Sequence, residues 1–188
     1  MAGTRNLDTA AIVAAAADLV EETSYDGLTL AALAARLGVK SPSLYNHVEG
    51  IEDVRRRLAA QVGERMRDAI RGAAVGRSQD EALRTIAHEY RHFAAVHPQL
   101  YRIFLGGRRR GDDQPLDVVR TTLHQILAAY QLRPGVEADF IRSFHSAMYG
   151  FIALEAAGAF TAENVDASYD VLVEGQIVVL HWLAGRAA

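Results

Sequence analysis

The chain has 188 residues, half of them hydrophobic, and carries 20 Lys and Arg against 23 Asp and Glu for a net charge of −3. That composition argues against disorder, lacks the strongly basic balance that announces a nucleic-acid binder by itself, and, with no cysteine, excludes disulfides and Cys-ligated zinc. No run of about 18 apolar residues is present and the N-terminus lacks a signal-peptide core, so a cytoplasmic protein without membrane association is expected.

Helical periodicity runs through almost the whole chain and strand alternation is nearly absent, which predicts an all-α fold of about nine helices. Ile12, Val13, Ala16, Leu19 and Val20 form the first apolar face, broken at Tyr25-Asp26-Gly27. Thr29 is placed to cap a short second helix through Leu30, Leu33, Ala34 and Leu37. Gly38 stops it, because glycine enters a positive φ at low cost. Ser41 as cap with Pro42 in the first turn opens a third helix over about 40–47, with Leu44 and Val48 turned inward. A long fourth helix follows on Ile51, Val54, Leu58, Val62, Met66 and Ile70, ending at Gly72 and Gly76.

Ser78-Gln79-Asp80-Glu81 reads as a capping box for a fifth helix on Leu83, Ile86, Ala87, Tyr90, Phe93 and Ala94. Pro98 opens a short sixth helix with Leu100, Tyr101, Ile103 and Phe104. Residues 106–114 are the most loop-like stretch, and Arg108 to Arg110 within it read as a solvated charge run. The seventh helix carries Leu116, Val119, Leu123, Ile126, Leu127 and Tyr130 up to Pro134-Gly135. The eighth, about 136–158, is apolar on more than one side, and the ninth carries Tyr169, Leu172, Val173, Ile177, Leu180 and Leu183. The expected division is a small N-terminal helical domain over 1–50, a connecting helix over 51–76 and a larger helical domain over 77–188.

Residues 29–48, TLAALAARLGVKSPSLYNHV, have the form of a helix-turn-helix: a short amphipathic helix, a glycine turn and a second helix fixed at its start by proline. Lys40, Ser41, Pro42 and Ser43 stand where small and polar side chains reach base edges in a major groove. Tyr45, Asn46 and His47 are placed to donate to phosphates. On these residues, and on Gly27, Thr29, Leu33, Ala34, Leu37, Gly38, Val39, Leu44 and Val48, the chain resembles the TetR family of bacterial regulators over residues 8 to 66. The resemblance implies that the helix near Lys40 is the recognition helix and that Thr29, Tyr45 and His47 meet phosphates. Relatives commonly carry a lysine where this chain has Ile51, and Arg55, Arg56 and Arg57 are candidates to supply the missing charge. Before residue 51 the cations are Arg5, Arg36 and Lys40 alone, against Asp8, Asp18, Glu21, Glu22, Asp26 and Glu49.

The stretches EYRHFAAVHPQLYRIF, RSFHSAMYGFIALEAAGAF and SYDVLVEGQIVVL resemble the TetR subclass named for a Trp-His-Gly signature, with Tyr149-Gly150 standing at its His-Gly. The implied function is a transcriptional regulator, a repressor released by a small apolar effector, acting as a homodimer on palindromic double-stranded operator DNA, with residues 1–50 as the DNA-binding domain and 77–188 as the ligand-binding and dimerisation domain. The expected effector wall is Tyr90, Phe93, Tyr101, Phe104, Phe144, His145, Met148 and Tyr149, an apolar set with a few polar groups. The expected dimer contacts are Gly150, Ala153 and Ala157 on the eighth helix and Val173, Ile177 and Leu180 on the ninth.

Two other readings compete. His88, Glu89 and His92 spell H-E-x-x-H, the spacing that places two zinc ligands and a general base on one helix face. The continuation and the strand edge that such hydrolases need are missing, so the expectation is a non-enzyme with no metal and no cofactor. The acidic N-terminal balance and Ile51 motivate the other alternative, an interaction protein that no longer binds DNA.

Overall fold

A computed structural model describes residues 7–77, 79–106, 115–161 and 163–185, without the side chains of 105, 106 and 115–119. Among the described residues the chain is all helix: α1 (Thr9–Glu22), α2 (Leu30–Leu37), α3 (Ser41–Leu44), α4 (Ile51–Ala74), α5 (Gln79–Val96), α6 (Pro98–Gly106), α7 (Pro115–Leu127), α8 (Val136–Ala156) and α9 (Val165–Gly185), with one 3₁₀ turn after α7. Two compact units emerge: Met1–Glu64 with His97–Pro115, and Arg65–Val96 with Leu116–Ala188. The first unit thus takes the first part of α4 and also α6, where the sequence reading divides the chain at residues 50 and 76. No described helix is long and apolar enough to cross a membrane.

In the first unit α1 packs on α2 and α6, and α2 packs on α3. The buried face of α1 is Ile12, Val13, Ala15, Ala16, Ala17, Leu19 and Val20, and Leu28, Leu33, Leu44, Val48, Val54, Leu58, Leu100 and Phe104 are buried in the same unit. Burying each of the larger side chains contributes about 1.5–3 kcal/mol. Asp8 caps α1 by accepting from Ala11 N at 2.7 Å. Glu21 reaches α6, accepting from Gln99 N at 3.3 Å and Leu100 N at 3.4 Å.

In the second unit α5, α8 and α9 pack on one another. Leu83, Ile86, Ala87, Tyr90, Phe93, Phe140, Phe144, Met148, Ile152, Tyr169, Val173, Ile177 and Leu180 are all buried. The Tyr169 hydroxyl donates to Ala87 O at 2.6 Å, so the largest buried side chain also satisfies its polar end. A series of charge pairs runs beside this core between antiparallel α5 and α9: Asp80 with His181, Arg84 with Glu174, His88 with Asp170 and Arg91 with Asp166.

Several local expectations need correction. The N-cap of α3 is Lys40 and not Ser41, and Pro42 then sits at the second helical position, where its missing N–H costs nothing. Helix α4 runs through Gly72 and ends at Ala74, with Gly76 at φ 72°. Ser78, the first residue of the expected capping box, and Arg108 to Arg110 lie outside the described residues, as do the side chains of Leu116 and Val119.

Candidate nucleic-acid interface

Helix α2 starts and stops where side-chain chemistry predicts. The Thr29 hydroxyl accepts from Ala32 N at 3.1 Å, and Gly38 closes the helix at φ 69°. A hydroxyl that caps in this way keeps its own proton to donate outward. Val39 N then returns to Ala34 O at 3.0 Å, turning the chain toward α3.

Helix α3 covers only Ser41–Leu44, shorter than the 40–47 expected from sequence. His47 N and Val48 N both donate to Leu44 O, at 2.9 and 3.0 Å, so residues 45–47 form a tight turn. Two contacts pull the chain out of the helix there. Glu49 N donates to the Asp53 carboxylate at 3.2 Å, and Thr9 Oγ1 donates to His47 O at 3.1 Å. Leu44 and Val48 are buried, which presents Lys40, Pro42, Tyr45 and Asn46 on the exposed side and leaves Ser41, Ser43 and His47 half-buried.

The cations near this surface are mostly committed. Arg36 donates to both Glu22 oxygens, at 2.6 and 2.9 Å, with Asp18 at 3.6 Å. Arg57 Nε donates to both Asp53 oxygens at 3.0 Å, and Arg56 pairs with the same carboxylate. Lys40 stands exposed at the start of α3 with no side-chain cap bond.

Asp53 is 4% exposed and holds the α3–α4 connection together. Burial pushes its pKa up, but Arg57, the Glu49 amide and Arg56 outweigh burial and hold it below the usual 3.8. A carboxylate held low stabilises the fold fully above its ordinary range and loses that contribution as pH falls through its lowered value. Asp53→Asn should therefore lower stability by about 1–2 kcal/mol at pH 7. It should also flatten the loss of melting temperature that the parent shows below its ordinary carboxylate range. An unchanged acid limb in Asp53→Asn would take this role from Asp53.

Comparison with known proteins adds decisive support. Residues 12–58 match the bacterial regulatory proteins of the tetR family, and residues 83–175 match the tetracyclin repressor-like C-terminal domain. An uncharacterised HTH-type transcriptional regulator of Mycobacterium tuberculosis is 33% identical over 167 residues, covering 86% of this chain and 76% of the relative. The chain belongs to the TetR family. It is a DNA-binding transcriptional regulator with a helix-turn-helix. The class D tetracycline repressor protein of Escherichia coli is 32% identical over 133 residues, 70% of this chain and 60% of that protein. A solved protein of unknown function from Rhodococcus sp. RHA1 shares the fold at a TM-score of 0.76, with 21% identity and coverage of 93% and 98%.

In this TetR-family chain the residues of the expected effector wall come from both units. Tyr101 and Phe104 belong to the first unit, and the other six residues belong to the second. Tyr90, Phe93, Phe144 and Met148 each expose 6% or less of their surface, so they fill the core of the second unit. Tyr149 is 45% exposed and faces outward. The Tyr90 hydroxyl lies 3.2 Å from His145 Nδ1, and burial pushes His145 below the usual histidine value, which favours the neutral ring. A hollow of about 290 Å³ in this unit lies at the α8–α9 loop and is lined by none of the eight.

Of the expected dimer contacts, Val173, Ile177 and Leu180 are core residues of their own unit, because α9 needs that stripe to cover α5 and α8. The apolar residues that α9 leaves outside are Val171, Val178, Val179 and Trp182. Ala153 and Ala157 are exposed, and a Cβ added at Gly150 or Gly175 would meet nothing within 4 Å. In the H-E-x-x-H segment, His88 pairs with Asp170 at 3.2 Å and His92 is exposed. Among the described residues no three His, Asp or Glu side chains converge to hold a metal ion.

Proposed function

We propose that this regulator is a repressor that binds a palindromic operator as a homodimer and is released by a small apolar effector. The observation that carries the reading is the surface around α3, where Lys40, Pro42, Tyr45 and Asn46 stand exposed on a helix-turn-helix fixed from behind by Leu44, Val48 and Asp53. Lys40 with Ser41 and Ser43 reads bases, and Thr29, Tyr45 and His47 hold phosphates. Two such heads about one DNA turn apart multiply the few contacts that each can make. The partner face is the outer side of α9, Val171, Val178, Val179 and Trp182, with the small residues of α8 beside it.

The effector reading has support from the similarity to a tetracycline repressor protein. With the aromatic core closed in the free protein, the effector enters by selecting an opened second unit, at a cost in affinity equal to the rarity of that state. Helix α4 runs unbroken from the first unit into the second and is the element that would carry the shift to the reading head. A ligand shifts the operator-bound population only through unequal affinity for the two states.

Binding of the full protein to a labelled duplex from its own upstream region tests the reading. Lys40→Ala should change the ranking of operator variants. Tyr45→Phe should weaken all of them alike, by about 1 kcal/mol for one lost hydrogen bond. An unchanged ranking in Lys40→Ala sinks the base-reading role. A promoter–reporter fusion that is more active without the regulator supports repression, and one that is less active overturns it.

A further inference from the structure

We propose that Arg55 is a phosphate-binding residue of the reading head, taking one backbone phosphate of the DNA into the hollow between the starts of α2 and α4. The proposal rests on the DNA-binding reading of the head and adds to it a contact outside α3. The hollow has a volume of about 260 Å³ and is lined by Leu28, Thr29, Leu30, Ile51 and Arg55. Arg55 is its one charged wall. Leu28, Leu30 and Ile51 make most of the rest of the wall apolar, which lowers the local polarity and strengthens a charge contact made there. Thr29, whose hydroxyl proton remains available beyond its capping role, is the second donor at the same hollow.

The Arg55 side chain is held in place and only partly used. Nη1 donates to Glu52 Oε1 at 2.7 Å, Nη2 lies 3.4 Å from Leu28 O, and the guanidinium stands 5.0 Å over the Tyr25 ring. Nε is shut from solvent without a hydrogen-bond partner among the described residues. A guanidinium has five N–H donors in a planar fork that matches two oxygens of a phosphate. Its present anion, Glu52, is an exposed side chain one turn back on the same helix, and exposed pairs of this kind are weak. A phosphodiester entering the hollow replaces Glu52 as the partner while Leu28 O and Tyr25 keep the guanidinium oriented. The other arginines of this region cannot do the same at low cost. Arg36 is gripped by Glu22 and Asp18, and Arg56 and Arg57 serve the buried Asp53.

The salt dependence of binding distinguishes a phosphate contact from a structural brace. Each neutralised phosphate contributes about −0.9 to the slope of log K against log salt on duplex DNA. The parent, Arg55→Gln, Arg55→Lys and Glu52→Gln are titrated onto a labelled duplex from the protein's upstream region and onto a mixed-sequence duplex. Arg55→Gln should lower the steepness by about one unit per head on both duplexes. Arg55→Lys should restore it, and Glu52→Gln, which frees the guanidinium, should bind more tightly with at least the parental slope. A parental slope in Arg55→Gln overturns the proposal, whatever its affinity, since a brace changes affinity equally at every salt concentration. So does failure of Arg55→Lys to restore the slope. If the parent prefers neither duplex, the operator reading fails, and the mixed-sequence slopes still decide for or against Arg55.

Discussion

Val178→Asp should leave the helical content unchanged and turn the protein from a dimer into a monomer at micromolar concentration. Val178 is 67% exposed and shares its face with Val171 and Trp182, 73% and 54% exposed. A carboxylate there costs the isolated subunit almost nothing, because water solvates it. Between two copies it becomes a desolvated charge meeting its own symmetry mate across a two-fold axis. Ile177→Asp is the contrasting control. Ile177 is 3% exposed, so an aspartate there is buried and unpaired within one subunit and should unfold the second unit outright. Loss of the dimer separates the two reading heads, and operator affinity should drop by roughly 10²-fold or more once the second head no longer binds intramolecularly. Sedimentation and circular dichroism on the two variants decide the matter. A Val178→Asp protein that remains dimeric with parental operator affinity removes this face as the interface, and the palindromic operator then has no structural basis.

The contrast between positions 177 and 178 also shows where sequence reading reaches its limit. Helix α2 was legible because its ends are decided by local chemistry: Thr29 accepts from Ala32 N and Gly38 takes the positive φ. The inward residues of α1, α4 and α5 were legible because each has one apolar stripe, and Ile12, Leu58 and Ile86 are buried as their spacing requires. Helix α9 has apolar residues on several sides, so periodicity finds both a core stripe and an outer stripe without saying which is which. The inner one, Val173, Ile177 and Leu180, is the stronger by pattern, and it packs within its own unit. The effector wall is hard to read from sequence for a related reason. Aromatic side chains are the material of both pockets and cores, and only packing reveals that Phe93, Phe144 and Met148 fill space. The short α3 depends on Asp53 drawing in Glu49 N, a contact made across a turn that no spacing rule encodes. The pairing of α5 with α9 had a readable signal, since Arg84, His88 and Arg91 recur at helical spacing and so do Asp166, Asp170 and Glu174. Recognising it needed the knowledge that the two helices run antiparallel side by side.

Arg91→Ala should destabilise the second unit by roughly 2–4 kcal/mol, far more than either histidine flanking it in the H-E-x-x-H segment. The Arg91 side chain is only 16% exposed. Its guanidinium donates to both Glu155 oxygens, at 2.5 and 2.8 Å, and lies 2.8 Å from Asp166. It also stands 5.0 Å over the Tyr169 ring and 5.7 Å over the Phe151 ring. One side chain thereby joins α5, α8 and α9, and its attachment to Glu155 pushes its own pKa above the usual arginine value. Truncation removes the stem that covers Tyr169, the cation–π contacts and the partner of a half-buried carboxylate at once. Arg91→Met separates these effects. It keeps the apolar stem, so any remaining loss reports the stranded Glu155, and Arg91→Met with Glu155→Gln should recover part of that loss. His88→Ala breaks only an exposed pair with Asp170 and should cost less than about 1 kcal/mol. Thermal unfolding of these variants and of His92→Ala tests the order. If His88→Ala or His92→Ala proves as damaging as Arg91→Ala, and zinc raises the parental midpoint but not theirs, the segment is a metal site and this account of it is wrong. If the arginine dominates and zinc changes nothing, the segment's role is to clamp three helices together.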